Sequence, residues 1–139
     1  HGNSIMAAIA LVALRYLDAD NARRRELCAW YDEVLAGAPG IARVRVPPGC
    51  ESSRHLYQVL VARRDRVMVD LNAHDIYPGV HYRDNRSYRM YADCPGPCPR
   101  AEEASRSVIS LPLHLSLDEP QVREVARRLR DAVTSATGA

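Results

Sequence analysis

The chain has no lysine: all 19 of its basic residues are arginine. No side chain here can form a Schiff base with a carbonyl substrate or a pyridoxal cofactor, because that bond needs a primary amine. A Walker-type phosphate loop is excluded for the same reason. Chemistry of either kind must take its amine from elsewhere. The apolar run at residues 5–14 is about half of what a membrane-spanning helix needs. No basic stretch precedes it and no cleavage site follows, so no signal peptide and no membrane partner are expected. Charge of one sign is also scarce. The net charge is +2, with 17 acidic residues interspersed among the arginines, which argues against a nucleic-acid surface. The densest basic cluster, Arg23-Arg24-Arg25, is followed at once by Glu26 and reads as a solvated helix face. The first residue is His1 rather than methionine, so the sequence is expected to begin inside a longer reading frame or to have been processed.

Four cysteines are present, but only Cys94 and Cys98 lie close together, and no second pair exists to complete a zinc site. No metal is expected; Cys28, on an apolar helical face, is expected in the core. The thiols should be free, as in a cytoplasmic protein. Also missing are a Gly-x-Ser-x-Gly elbow, a glycine-rich dinucleotide fingerprint and paired carboxylates in a recognisable motif. A self-contained enzyme of 139 residues should carry a stronger signature than this.

What is present suits one α+β unit able to bury a core. Residues 4–35 have helical periodicity, as one long helix or two with a kink near Asp20. Gly37, Pro39 and Gly40 end it. Residues 44–46 alternate as a short strand, and residues 56–62 form the best strand, apolar and β-branched. A helix over 64–74 and a strand over 79–82 follow, then a polar, tyrosine-bearing loop over 83–99. A short helix over 101–107, a strand over 108–111 and an amphipathic helix capped by Ser116 or Asp118 complete the order. The expected architecture is a long N-terminal helix followed by a small, mainly antiparallel sheet of three to four strands covered by helices. Residues 1–36 form the connecting helix or helix pair, and residues 37–139 the small domain. The opening helix is only partly matched to such a sheet, so part of it should meet another domain or subunit.

The richest segment is Gly79-Val80-His81-Tyr82-Arg83-Asp84-Asn85-Arg86. It puts an imidazole, a phenol and two guanidiniums where a strand gives way to a loop, a common place for binding groups. Arginine binds phosphate bidentately, and a tyrosine ring stacks on a base or sugar. An ordinary polar strand end is the competing reading. His55 starts the best strand, His114 should position a turn, and His74 sits at a helix end.

Four segments, taken in order, resemble the C-terminal part of the DegT/DnrJ/EryC1/StrS sugar aminotransferases. They are Ser4-Ile5-Met6-Ala7-Ala8; the stretch from Asn21-Ala22-Arg23-Arg24-Arg25 to Trp30-Tyr31-Asp32-Glu33-Val34-Leu35; Ile76-Tyr77-Pro78-Gly79-Val80-His81-Tyr82-Arg83; and Ser110-Leu111-Pro112-Leu113-His114. The resemblance implies a dimeric enzyme dependent on pyridoxal phosphate (PLP) that aminates keto groups of nucleotide-linked sugars. It implies that the PLP-binding large domain and its lysine lie upstream. No catalytic or cofactor-binding residue is then assigned within this chain, and no cofactor is expected on it alone. The family's asparagine that reaches the partner's cofactor phosphate falls just before His1 in an ungapped alignment. His81 and Tyr82 match the family's His-aromatic pair at the active-site entrance, and Arg83 follows on the same loop. Arg86 stands where a second histidine is common, and His55 matches a recurrent position at the first strand of the small domain. Substrate contact is therefore expected from His81, Tyr82, Arg83, Arg86 and His55. Relatives with histidine in place of the lysine are dehydratases, a variant the chain leaves open. The alternative is a noncatalytic dimerisation or binding module of the same fold, a relict or a split subunit.

Overall fold

Two helices open the chain, the second of the two arrangements that the periodicity allows: α1 (Ser4–Leu14) and α2 (Leu17–Val34). The computed structural model describes every residue except His1, Ala92, Cys94, Pro95 and Ala139. The break falls at Arg15 and Tyr16, not near Asp20. There the Arg15 N–H donates to the Val12 carbonyl and the Tyr16 N–H to the Ala13 carbonyl, each at 3.1 Å. Such short-range bonds tighten a helix end into a 3₁₀ turn and stop it. Asp20 lies within α2, its N–H bonded to the Tyr16 carbonyl at 2.9 Å. Asp18 and Asp20 occupy the first turn, where carboxylates complement the helix dipole. Asn3 caps α1, its Oδ1 accepting from the Met6 N–H at 2.9 Å.

The sheet has three antiparallel strands in the order β1 (Ile41–Arg43), β2 (Tyr57–Val61) and β3 (Val108–Leu111). Register pairs Ile41 with Val61, and Val59 with both Arg43 and Ile109. β1 lies before the expected 44–46 strand. Gly40, at φ +74°, turns the chain onto β2 earlier, and a Cβ there would sit 2.9 Å from Val133 Cγ1. The expected strand at 79–82 is a single bridge, Gly79 to Ser110. Beyond it the chain swings away, because the next partner of Ser110 is the His81 side chain rather than more backbone. Residues 83–99 are not wholly irregular, holding short 3₁₀ turns at Asn85–Ser87 and Arg89–Tyr91.

One face of the sheet carries the core. Tyr57, Val59 and Val61 alternate inward from β2 and meet Ile109 and Leu111 of β3. Against them pack α2, α3 (Arg64–Asn72) and α5 (Glu119–Thr137), through Leu27, Tyr31, Val67, Leu71, Val122, Ala126, Leu129 and Val133. Fully burying each large aliphatic side chain is worth about 1.5–3 kcal/mol relative to exposure. Cys28 is in this core, as expected. The core draws on both sides of residue 36, since Leu27 and Leu35 share it with Val59 and Leu129. Tyr31 stacks on Tyr57, with ring centroids 4.6 Å apart. The Tyr57 hydroxyl donates to Asp32 at 2.8 Å, and the Tyr31 hydroxyl to the Pro112 carbonyl at 2.8 Å. Burial raises both phenols well above their usual range. α1 takes no part in this: none of its residues is buried.

The cap of α5 is Asp118, not Ser116. Asp118 Oδ1 accepts from the Gln121 N–H at 2.9 Å, and Gln121 Oε1 accepts from the Asp118 N–H at 3.0 Å, a reciprocal capping box. The His114 carbonyl accepts from the Leu117 N–H at 3.1 Å, the turn role expected of that segment. His74 Nδ1 lies 2.9 Å from the Asp70 carbonyl at the end of α3.

Candidate substrate groove

The outer face of the sheet is where β2 alternation leaves Gln58 and Leu60 half-buried. Over this face lie residues 81–86 and α4 (Pro99–Ser107), whose helix starts with a proline at its first position. Between them is a groove of about 710 Å³, floored by Val44, Gln58, Leu60 and Val108 and walled by His81, Tyr82, Arg83, Ala101, Ala104 and Ser105.

The loop that forms its rim is tied down at several points. His81 Nδ1 is 3.0 Å from Ser110 Oγ, and the His81 carbonyl accepts from Gln58 Nε2 at 2.5 Å. The Asp84 N–H donates to Ser105 Oγ at 2.8 Å, while Arg64 donates to the Ser105 carbonyl at 2.5 Å. Arg86 reaches Asp84 Oδ2 at 2.6 Å and Glu102 Oε1 at 2.5 Å, linking the loop to α4. Hydrogen bonding from Arg86 holds the Asp84 carboxyl below its ordinary value, and the same bonds raise Arg86.

Four of the five expected contact residues therefore share this groove: His81, Tyr82, Arg83 and Arg86. Their surroundings differ. Tyr82 is 74% exposed and meets the His81 ring edge-on at 5.1 Å. Arg83 is exposed, and among the described residues its guanidinium has no hydrogen-bond or ion-pair partner. The guanidinium of Arg86 is instead occupied by two carboxylates and the Gly96 carbonyl. His55 lies apart. It is exposed and lines a neighbouring groove of about 450 Å³ with Arg45, Pro47 and Arg54, sharing only Val44 and Gln58 with the first.

Ser110 and Gln58, which hold the His81 ring and carbonyl, carry no distinctive motif. Their only sequence signal is a polar residue placed within an otherwise apolar strand, Val-Ile-Ser-Leu and Tyr-Gln-Val-Leu-Val. The groove thus offers an imidazole, an exposed aromatic face and, among the described residues, one uncommitted guanidinium, a set whose chemistry suits a polar, anionic ligand. It offers no primary amine, so these residues by themselves do not fit a covalently held PLP. Among the described residues no group of three or more His, Cys, Asp or Glu could hold a metal ion, and no helix is long and apolar enough to cross a membrane.

Residues 3–130 match the DegT/DnrJ/EryC1/StrS aminotransferase family. The chain belongs to that family. It is 38% identical over 136 residues to a dTDP-4-dehydro-2,3,6-trideoxy-D-glucose 4-aminotransferase of Saccharopolyspora spinosa, covering 95% of this chain and 35% of that protein. To a dTDP-3-amino-3,4,6-trideoxy-alpha-D-glucose transaminase of Streptomyces venezuelae it is 35% identical over 133 residues, covering 93% of this chain and 35% of that protein. The structure of S. venezuelae DesV in complex with a ketimine intermediate superposes with a TM-score of 0.86 at 35% identity, over 91% of this chain and 35% of that one. The chain spans about a third of the length of these relatives. Membership carries the α+β architecture with it, and the three-stranded sheet falls within the three to four strands expected.

Proposed function

We propose that this chain is the C-terminal, substrate-side part of a PLP-dependent aminotransferase acting on a keto group of a nucleotide-linked sugar. The observation that carries this reading is the pairing of family membership over residues 3–130 with a groove rim that presents His81, Tyr82 and Arg83. In the proposal Tyr82 offers its face to the nucleotide base or sugar, and Arg83 meets the diphosphate. His81 reaches the sugar from a ring fixed in place. Arg86 does not contact substrate; with Asp84 and Glu102 it holds the loop against α4. His55, in the neighbouring groove, serves the strand start. The amino group passed to the sugar would come from an amino donor such as glutamate by way of PLP, whose Schiff-base lysine lies outside these 139 residues, and α1 packs on that part of the enzyme or on the second subunit of a homodimer.

A chimera tests this. This chain replaces the matching third of the S. spinosa relative, and amination of dTDP-linked keto sugars is followed with glutamate as amino donor. The chimera should be active, and Arg83→Ala should raise KM for the nucleotide sugar about 10- to 100-fold, the range for a lost charge-assisted hydrogen bond. Arg86→Ala should instead lower the melting temperature. A folded, PLP-loaded chimera inactive on every nucleotide sugar would defeat the reading, as would Schiff-base absorbance on the purified 139-residue chain.

A further inference from the structure

The placement of the His81 imidazole is overdetermined. Ser110 is 3% exposed and is the buried polar residue among those described. Its backbone is fully engaged by Gly79, N–H to carbonyl at 2.8 Å and carbonyl to N–H at 2.9 Å, which leaves its hydroxyl free to serve the ring at 3.0 Å. A Cβ at Gly79 would meet His81 Cε1, so a larger residue there would displace the ring from this position. From the other side Gln58 anchors the His81 carbonyl.

A serine hydroxyl owns one proton and two lone pairs. Among the described residues Ser110 Oγ has no hydrogen-bond partner except His81 Nδ1. Were Nδ1 to carry the ring proton and donate it, the hydroxyl proton of Ser110 would be buried without an acceptor. When the hydroxyl donates to Nδ1, its proton is used and the ring proton resides on Nε2. The cost of an unpaired buried donor makes the second arrangement favoured by about tenfold or more.

We propose that Ser110 is a positioning residue that fixes neutral His81 as its Nε2–H tautomer, so that the groove is offered a hydrogen-bond donor and not a base. The donor suits an acceptor oxygen of the ligand, whether a sugar hydroxyl or carbonyl or a phosphate. That ligand-side role rests on the aminotransferase reading, while the tautomer itself does not.

The tautomer is measurable on the 139-residue chain with ¹⁵N-labelled histidine, by long-range ¹H–¹⁵N correlation at about pH 8.5, two units above the ordinary imidazole value. His81 should show a pyrrole-type Nε2 and a pyridine-type Nδ1, and Ser110→Ala should raise the Nδ1–H population toward its share in free neutral histidine. A protonated Nδ1 in the unsubstituted chain overturns the proposal, whether or not the variant folds. So does a Ser110→Ala spectrum with unchanged populations. In the chimera, Ser110→Ala should raise KM for the nucleotide sugar about tenfold, the loss of one oriented donor. An unchanged KM there overturns the donor role even if the tautomer stands. An inactive chimera with the tautomer intact refutes the aminotransferase reading instead.

Discussion

Cys28 is 2% exposed on the inner side of α2. Desolvation pushes its thiol up to about 11, opposed by the positive charge of Arg54 and aided by Asp32. The fold therefore prefers the neutral thiol. Its contribution is complete below the ordinary value near 9 and is lost as pH rises through about 11. Two pH units correspond to about 3 kcal/mol. Unfolding free energy, measured by denaturant titration at successive pH values, should fall across that window, and Cys28→Ala should flatten the fall. An equally steep decline in the variant would show that burial of this thiol is not its source. The position of Cys28 was legible from helical spacing, because an apolar stripe on α2 could only face the sheet. The difference between Arg83 and Arg86 was not. Both are arginines on one loop, and only the fold brings Glu102 of α4 to one of them.

At the scale of elements, local sequence is informative where a single residue does the work. Asp118 and Gln121 exchange two hydrogen bonds that would otherwise leave helix-end donors unsatisfied. Asp118→Ala should cost α5 about 1 kcal/mol, read as a lower denaturant midpoint at unchanged slope. A midpoint within error of the parent would mean that packing of Val122 and Leu129 alone sets the helix start. Runs of apolar, β-branched residues located β2 and β3 for the same local reason. Strand-like sequence misled at residues 44–46 and 79–82, where it continues after pairing partners run out. Val44 keeps one bond, its N–H to the Gln58 carbonyl at 3.3 Å, and then leaves the sheet. The break at Arg15 and Tyr16 carries neither glycine nor proline, so no residue type announces it.

For the whole molecule the dominant feature is α1. Ile5 (71% exposed), Met6, Ile9, Leu11, Val12 and Leu14 are all exposed, around the full circumference of the helix. A helix apolar on every side is normally buried, and an apolar patch of this kind marks a contact surface. The 139-residue chain should therefore associate as its concentration rises in sedimentation experiments. Ile9→Glu with Val12→Glu should weaken that association while leaving the melting temperature unchanged, since α1 buries nothing in the core. A chain that stays monomeric into the hundred-micromolar range would contradict the expectation.

By itself the sequence determined the chemistry that this chain is barred from, through the missing lysine, and the ordered segments that resemble one family. It also determined the apolar faces of α2 and α5 and the places of β2 and β3 along the chain. These depend on residue identity and on short periodicities, which survive without knowledge of long-range contacts. Tertiary structure alone decided which polar groups meet. Ser110 and His81 are 29 residues apart in the chain, and Arg86 and Glu102 are 16 apart. It separated His55 from the His81 groove for the same reason: hydrogen bonds between distant segments follow from strand register and helix placement, not from any local pattern.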